Sequence, residues 1–229
     1  MYGDRGQANG NGLAPIRQNI PIVGLTGQSG SGKSTIASAL CAALCADARW
    51  PGTAVMLSTD WYYHDLSHLT PEARSRADFD RVEAIDWTIL SENLSALKRG
   101  RPCMSPRYDF TTSSRCGPYV STPPGQLIIV EGIFLLAADV LRQQLDYTVL
   151  VSTCTRIRRN RRVERDIRQR GFTEAGAIRQ EQQAAAAFDR LNPNPDQLAD
   201  MVVDGSAPLE SIVDNLLTVI VSKFGTSLS

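Results

Sequence analysis

The sequence predicts an α/β fold, with a parallel sheet sandwiched between two layers of helices. Two observations carry this prediction. Five short apolar runs rich in Val, Ile and Leu recur along the chain, as expected of strands covered on both faces. Periodic helical segments separate them, and strands that alternate with helices pair in parallel. A length of 229 residues with 42% hydrophobic content suits one domain with a proper core. The boundaries expected are a flexible segment over 1–19, rich in Gly, Asn and Gln, and a single folded domain over 20–225.

In chain order, "IPIVGL" (20–25) reads as the first strand. A helix then starts at Lys33 and lines up Ile36, Leu40 and Leu44 on one face. "TAVMLS" (53–58) is the second strand, and a helix near Asp86 stops at Gly100. The stretch 103–122 breaks the rhythm: "CMSPRYDF" and "GPYVST" flank "TTSSRC" and read as a β-hairpin over the sheet's binding edge. "QLIIVEG" (126–132) and "DYTVLV" (146–151) are strands, with a helix expected near Phe134 between them. Helices near Thr155 and Thr173, the strand "ADMVVD" (199–204) and a helix near Pro208 complete the series.

Composition narrows the function classes. Lys and Arg number 24 and so do Asp and Glu, so no global field draws the protein to nucleic acid or to an anionic membrane. No apolar run approaches the roughly 20 residues a membrane span needs, and the N-terminus lacks a secretory pattern. The five cysteines form no Cys-x-x-Cys pair and have no His at metal spacing. A cytoplasmic enzyme with reduced thiols is expected.

"GLTGQSGSGKST" (24–35) carries the chemistry. Gly27 to Ser34 satisfy G-x-x-x-x-G-K-S/T in full, between an apolar strand and a periodic helix. Glycines let successive N–H groups turn inward on phosphates, and the helix that begins there presents its positive end. The nucleotide-binding candidates are therefore Gly27, Ser29, Gly30, Ser31, Gly32, Lys33, Ser34 and Thr35. Lys33 is expected on the β- and γ-phosphates and Ser34 on Mg²⁺. The loop turns the α/β prediction into a P-loop NTPase sandwich. Glu131, at the tip of "LIIVEG", has the setting of a metal-side carboxylate. Asp60 follows the second strand, so it projects into the crevice at the strands' carboxyl ends. A carboxylate there can take the proton of an acceptor hydroxyl, help hold the metal, or do both.

"RIRRNRRVERDIRQRG" (156–171) holds eight arginines. On a helix Arg158, Arg162 and Arg165 share a face, and guanidinium groups match the charge spread over transferring phosphoryl oxygens. Gly171 offers a hinge for a lid that keeps water out. With no interleaved aromatics, the run reads poorly as a nucleic-acid patch.

"GQSGSGKST", "DWYYHDLSHLTPEARSRADFD", "LSALKRGRPCMSPRYDFTTSSR", "IIVEGIFLL" and "RRVERDIRQRG" follow one another with the spacing of the uridine kinases, grouped with phosphoribulokinases among P-loop kinases. The resemblance runs from about residue 22 to about 204. It implies transfer of the γ-phosphate of ATP (or GTP), with Mg²⁺, to the 5′-hydroxyl of uridine or cytidine in pyrimidine salvage. Asp60 falls on the family's catalytic base, and Ser34 and Glu131 on its metal positions. Asp80 falls on the carboxylate that holds the ribose hydroxyls. Tyr63 and Tyr108 match aromatics around the nucleoside, Arg162 and Gln180 ribose-side positions, and Arg165 and Arg170 phosphate-facing lid positions. By analogy the chain forms a homo-oligomer.

The chain also departs from the family. Ser113 stands where a hairpin His commonly faces the base, and it is shorter and does not titrate near neutral pH. Phe172 replaces a second lid Arg, and "FDRVEAID" and "QEQQAAAAF" differ from the usual segments. A kinase of another hydroxylated acceptor, such as a sugar, pantothenate or a different nucleoside, is therefore the rival reading. A nucleotide switch fits less well, because no Asn-Lys-x-Asp guanine segment is present and Asp60 and Asp80 would have no role.

Overall fold

A computed structural model describes residues 20–50, 52–74 and 76–225; the segment 1–19, expected to be flexible, lies outside the described residues. In chain order the elements are β1 (Ile22–Thr26), α1 (Lys33–Ala46), β2 (Ala54–Ser58), α2 (Pro71–Arg74), α3 (Trp87–Lys98), β3 (Cys103–Ser105), β4 (Tyr108–Asp109), β5 (Ser114–Arg115), β6 (Val120–Thr122), β7 (Leu127–Gly132), α4 (Asp139–Arg142), β8 (Tyr147–Ser152), α5 (Thr155–Arg170), α6 (Glu174–Leu191), α7 (Pro195–Leu198), β9 (Met201–Asp204) and α8 (Leu209–Phe224).

The five expected strands form one parallel sheet in the order β2-β7-β1-β8-β9. After β1 the chain crosses to one side of it, and after β7 to the other. The crevice at the carboxyl ends of these strands is thus a topological switch point, where ligands of open α/β sheets bind. Side chains alternate between two cores. Val23, Leu25 and Ile129 pack with Ile36, Leu40 and Leu44 of α1 and Ile212, Leu216 and Ile220 of α8. Ile22, Ile128 and Val130 face the other way, onto Leu90, Leu94 and Leu97 of α3 and onto Tyr62 and Phe134. Each such side chain contributes about 1.5–3 kcal/mol on burial, which is why the apolar runs are continuous rather than alternating.

Two expectations change in detail. The hairpin at 103–122 forms, but as two ladders, β3 with β6 and β4 with β5. Pro106 and Pro118 lie between them and cannot donate to a ladder. The helix expected near Phe134 begins only at Asp139 and lasts four residues. The apolar residues Phe134, Leu135 and Leu136 are buried in turn conformation, where core packing rather than helical period explains their character. Helices α5 and α6 start where expected and pack against one another across a buried ion pair, Arg158 to Glu181 at 2.8 Å.

Candidate active site

The turn between β1 and α1 forms a cradle. Gly30 has φ +83°, and a Cβ there would lie 2.4 Å from the Arg158 carbonyl oxygen. Only glycine lets the loop and α5 approach so closely. α5 in turn grips the loop: Arg158 Nη1 donates to the Ser29 carbonyl at 3.4 Å and Arg165 Nη2 to Ser29 Oγ at 3.3 Å. Thr153 Oγ1 donates to the Ser31 carbonyl at 2.9 Å, and Gln28 Nε2 to Asp189 at 2.6 Å. Gly32 caps α1, whose first turn contains no acidic side chain, so its N–H groups and positive end are left to an anion.

Parallel register sets the carboxylates. Ser58 of β2 and Leu25 of β1 both pair with Glu131 of β7, which brings that side chain beside the start of α1. Glu131 is 2% exposed. It accepts a hydrogen bond from Ser34 Oγ at 2.9 Å and another from Ser58 Oγ, and Ser58 Oγ accepts from the Asp60 N–H at 3.3 Å. Burial pushes its carboxyl above the ordinary glutamate value; Lys33 opposes that shift and Asp60 adds to it. A hydroxyl and a carboxylate facing one another are hard oxygen donors, a set that fits Mg²⁺. Among the described residues no cluster of three His, Cys, Asp or Glu side chains forms a metal site. A Mg²⁺ ion bound here would draw its remaining ligands from outside these side chains, from water and phosphate oxygens.

Lys33 and Asp60 line one cavity of about 490 Å³, together with Ser29, Tyr63, Asp80, Arg162 and Arg170. Asp80 is half-buried, and burial raises its carboxyl against the pull of Arg162. One wall is aromatic. The Tyr63 ring lies 5.7 Å from Phe79, 5.4 Å from Tyr108 and 5.5 Å from Phe110 between centroids, mostly edge to face. The hairpin tip, Phe110 to Ser113, closes the cavity from above. Arg115 pins the hairpin to the scaffold, reaching Asp86 at 3.0 Å and the Tyr63 carbonyl at 3.2 Å, while Arg74 donates to the Thr112 carbonyl at 2.6 Å.

The arginine run divides by function of position. Arg158 ties α6 to the phosphate loop, pairing with Glu181 and donating to the Ser29 carbonyl. Arg162 and Arg170 line the cavity, and the Arg170 guanidinium lies 3.9 Å above the Phe110 ring. Arg165 bridges to the phosphate loop. All three converge on Asp166, a residue that sequence reasoning missed. An acid four residues from two arginines on one helix was the available signal.

Among the other expected residues, Gln180 and Ser113 line the cavity. Ser113 adopts φ +50° at the hairpin tip. Tyr108 packs against Tyr63 and Phe110, which line the cavity, with ring centroids 5.4 and 5.1 Å away; burial pushes its hydroxyl up to about 12. Thr35 is exposed on the first turn of α1, with Gly27, Ser31 and Gly32 forming the cradle ahead of it. Phe172, just past Gly171, adds an apolar edge to the cavity mouth.

The model of the phosphoribulokinase / uridine kinase family matches residues 22–207. The chain is 36% identical over 187 residues to a uridine kinase of Shewanella frigidimarina, covering 81% of this chain and 88% of that protein. It is 38% identical over 160 residues to a uridine kinase of Staphylococcus epidermidis, covering 69% and 74%. The fold is similar to phosphoribulokinase from Rhodobacter spheroides, with a TM-score of 0.57 at 16% identity over 84% of this chain and 75% of that one. No described helix is long and apolar enough to cross a membrane.

Proposed function

Because the chain belongs to the phosphoribulokinase/uridine kinase family, and is therefore a kinase that moves phosphate from a nucleotide to an alcohol, we propose that the alcohol is the 5′-hydroxyl of uridine or cytidine. The reaction would serve pyrimidine salvage, with ATP (or GTP) as donor, in a cytoplasmic homo-oligomer. The observation that carries this reading is that Lys33 and Asp60 share one cavity with Asp80 and Tyr63.

The donor's phosphates lie on the N–H groups of 27–35, with Lys33 against the transferring group. The acceptor hydroxyl sits on Asp60. As the bond from its oxygen to the γ-phosphorus forms, the bond to the leaving β-phosphate oxygen breaks, and Asp60 takes the hydroxyl proton. Asp80 accepts from both vicinal ribose hydroxyls, a geometry a carboxylate satisfies well. Tyr63 gives the base an apolar face supported by Tyr108, with Arg162, Gln180 and Ser113 as polar contacts. Arg165 and Arg170 close over the phosphates and exclude water. Ser34, Glu131 and Asp60 would hold Mg²⁺, which neutralises phosphate charge when bound.

ADP release across a panel of nucleosides, sugars and pantothenate tests the reading. Uridine and cytidine are expected to give the highest kcat/KM. Turnover confined to a sugar or to pantothenate would overturn the acceptor while leaving the kinase. Ser113 at the hairpin tip and Phe172 at the mouth favour that second reading, a related kinase of another hydroxylated small molecule.

A further inference from the structure

We propose that Asp166 is a positioning residue, which sets the three arginines of the transfer site and keeps them off the carboxylates that must face the acceptor. The inference rests on the kinase reading above and adds a residue to it. Asp166 lies on α5 and is 1% exposed. Its Oδ2 accepts from Arg162 Nε at 3.3 Å. Its Oδ1 accepts from Arg165 Nε at 3.0 Å and Nη2 at 2.9 Å, and lies 3.5 Å from Arg170 Nη1. One carboxylate thus anchors an arginine on the phosphate loop and two that line the acceptor cavity.

Three cations against one anion leave a net charge of about +2 around the place where phosphoryl charge develops. Such a cluster is held together by its anion, since guanidinium groups this close repel one another. Two further acids share the cavity with Arg162 and Arg170: Asp60, which acts on Arg170, and Asp80, on which Arg162 acts. Without the Asp166 charge, the pull of those two carboxylates on the arginines is no longer opposed. Arg170 would then mask the group that receives the acceptor hydroxyl, and Arg162 the group that holds its diol. The Asp166 carbonyl also accepts the Gly171 and Phe172 N–H groups, so the turn that ends α5 is fixed at the same residue. A side-chain substitution leaves those two backbone bonds in place.

The test compares full-length wild type, Asp166→Asn and Asp166→Glu by steady-state kinetics with ATP and the best acceptor of the panel, alongside thermal melting. Wild-type turnover, measured first, tests the kinase reading; only the ratio of variant to wild type tests Asp166. For Asp166→Asn, kcat should fall by about thirtyfold or more and acceptor KM should rise, while nucleotide Kd stays within about threefold. Asp166→Glu, which restores the charge but displaces it by one methylene, should recover only part of the lost kcat and stay about threefold or more below wild type. If Asp166→Asn does not fold, Asp166→Glu decides alone: reduced kcat and raised acceptor KM at unchanged nucleotide Kd support the role. Lower melting with kcat and acceptor KM at wild-type values in the folded variant would overturn it, leaving Asp166 a structural counter-ion.

Discussion

Replacing Gly30 with alanine tests whether the cradle is built by close contact or by loop flexibility. Gly30 has φ +83°, a conformation that costs an L-residue roughly 1–2 kcal/mol. Its new Cβ would also meet the Arg158 carbonyl oxygen at 2.4 Å and the Arg162 Cβ at 3.2 Å. Both neighbours belong to α5, so relief requires the loop and the helix to separate, an overpacking cost of about 1–3 kcal/mol. Gly171 supplies the control: its φ is +72°, yet nothing lies within 4 Å of its Cβ position. Gly171→Ala should thus show the backbone cost alone. In a chain of this size about 1 kcal/mol moves Tm by roughly 2–4 °C, so Gly30→Ala should melt about 2–12 °C below Gly171→Ala. Separation of the loop from α5 should also raise the KM for ATP in Gly30→Ala. Differential scanning calorimetry on the two variants and wild type measures the gap. Equal melting temperatures would refute the claim that α5 fixes the phosphate loop.

Other substitutions probe the rest of the site. Asp60→Asn should lower kcat by about a hundredfold or more with nucleotide affinity nearly intact, measured by ADP release and by titration calorimetry. Asp80 carries a carboxyl raised by burial, so the folded state holds that proton more tightly than the unfolded chain does. Its contribution to stability is therefore complete below about pH 4 and is lost as pH rises through the raised value. Asp80→Asn should accordingly melt above wild type at pH 7, with the gap closing toward pH 4, while acceptor KM rises. Arg115→Ala removes charged hydrogen bonds worth about 1.5–3 kcal/mol, and should lower Tm by roughly 3–12 °C. Because the hairpin it pins carries Phe110 to Ser113 of the cavity proposed for the acceptor, acceptor KM should rise more than nucleotide Kd.

The sheet was legible because burial on both faces leaves a residue pattern that needs no partner to interpret: all five runs, from "IPIVGL" to "ADMVVD", lie in one parallel sheet. The phosphate loop was legible because its glycines, lysine and serine are demanded by local geometry. What escaped depends on how the elements pack against one another. Asp166 looks like an ordinary acid in a charged helix until α5 folds against the loop and cavity. Arg115 looks like a hairpin surface residue, and its partner Asp86 is 29 residues away. The "IFLLAADVLR" stretch misled for the opposite reason: its apolar residues answer to the core, so the helix waits until Asp139. Helical spacing groups Arg158 with Arg162 and Arg165, yet Arg158 pairs with Glu181 on the next helix while also reaching the phosphate loop.

A crystal structure with a non-hydrolysable ATP analogue and uridine tests the central claim most directly. The account predicts the 5′-hydroxyl within about 2.6–3.2 Å of the Asp60 carboxylate, with the γ-phosphate opposite it and against Lys33. Uridine seated away from the cavity that Lys33 and Asp60 share, with the Asp60 side chain turned from its hydroxyl, would contradict it.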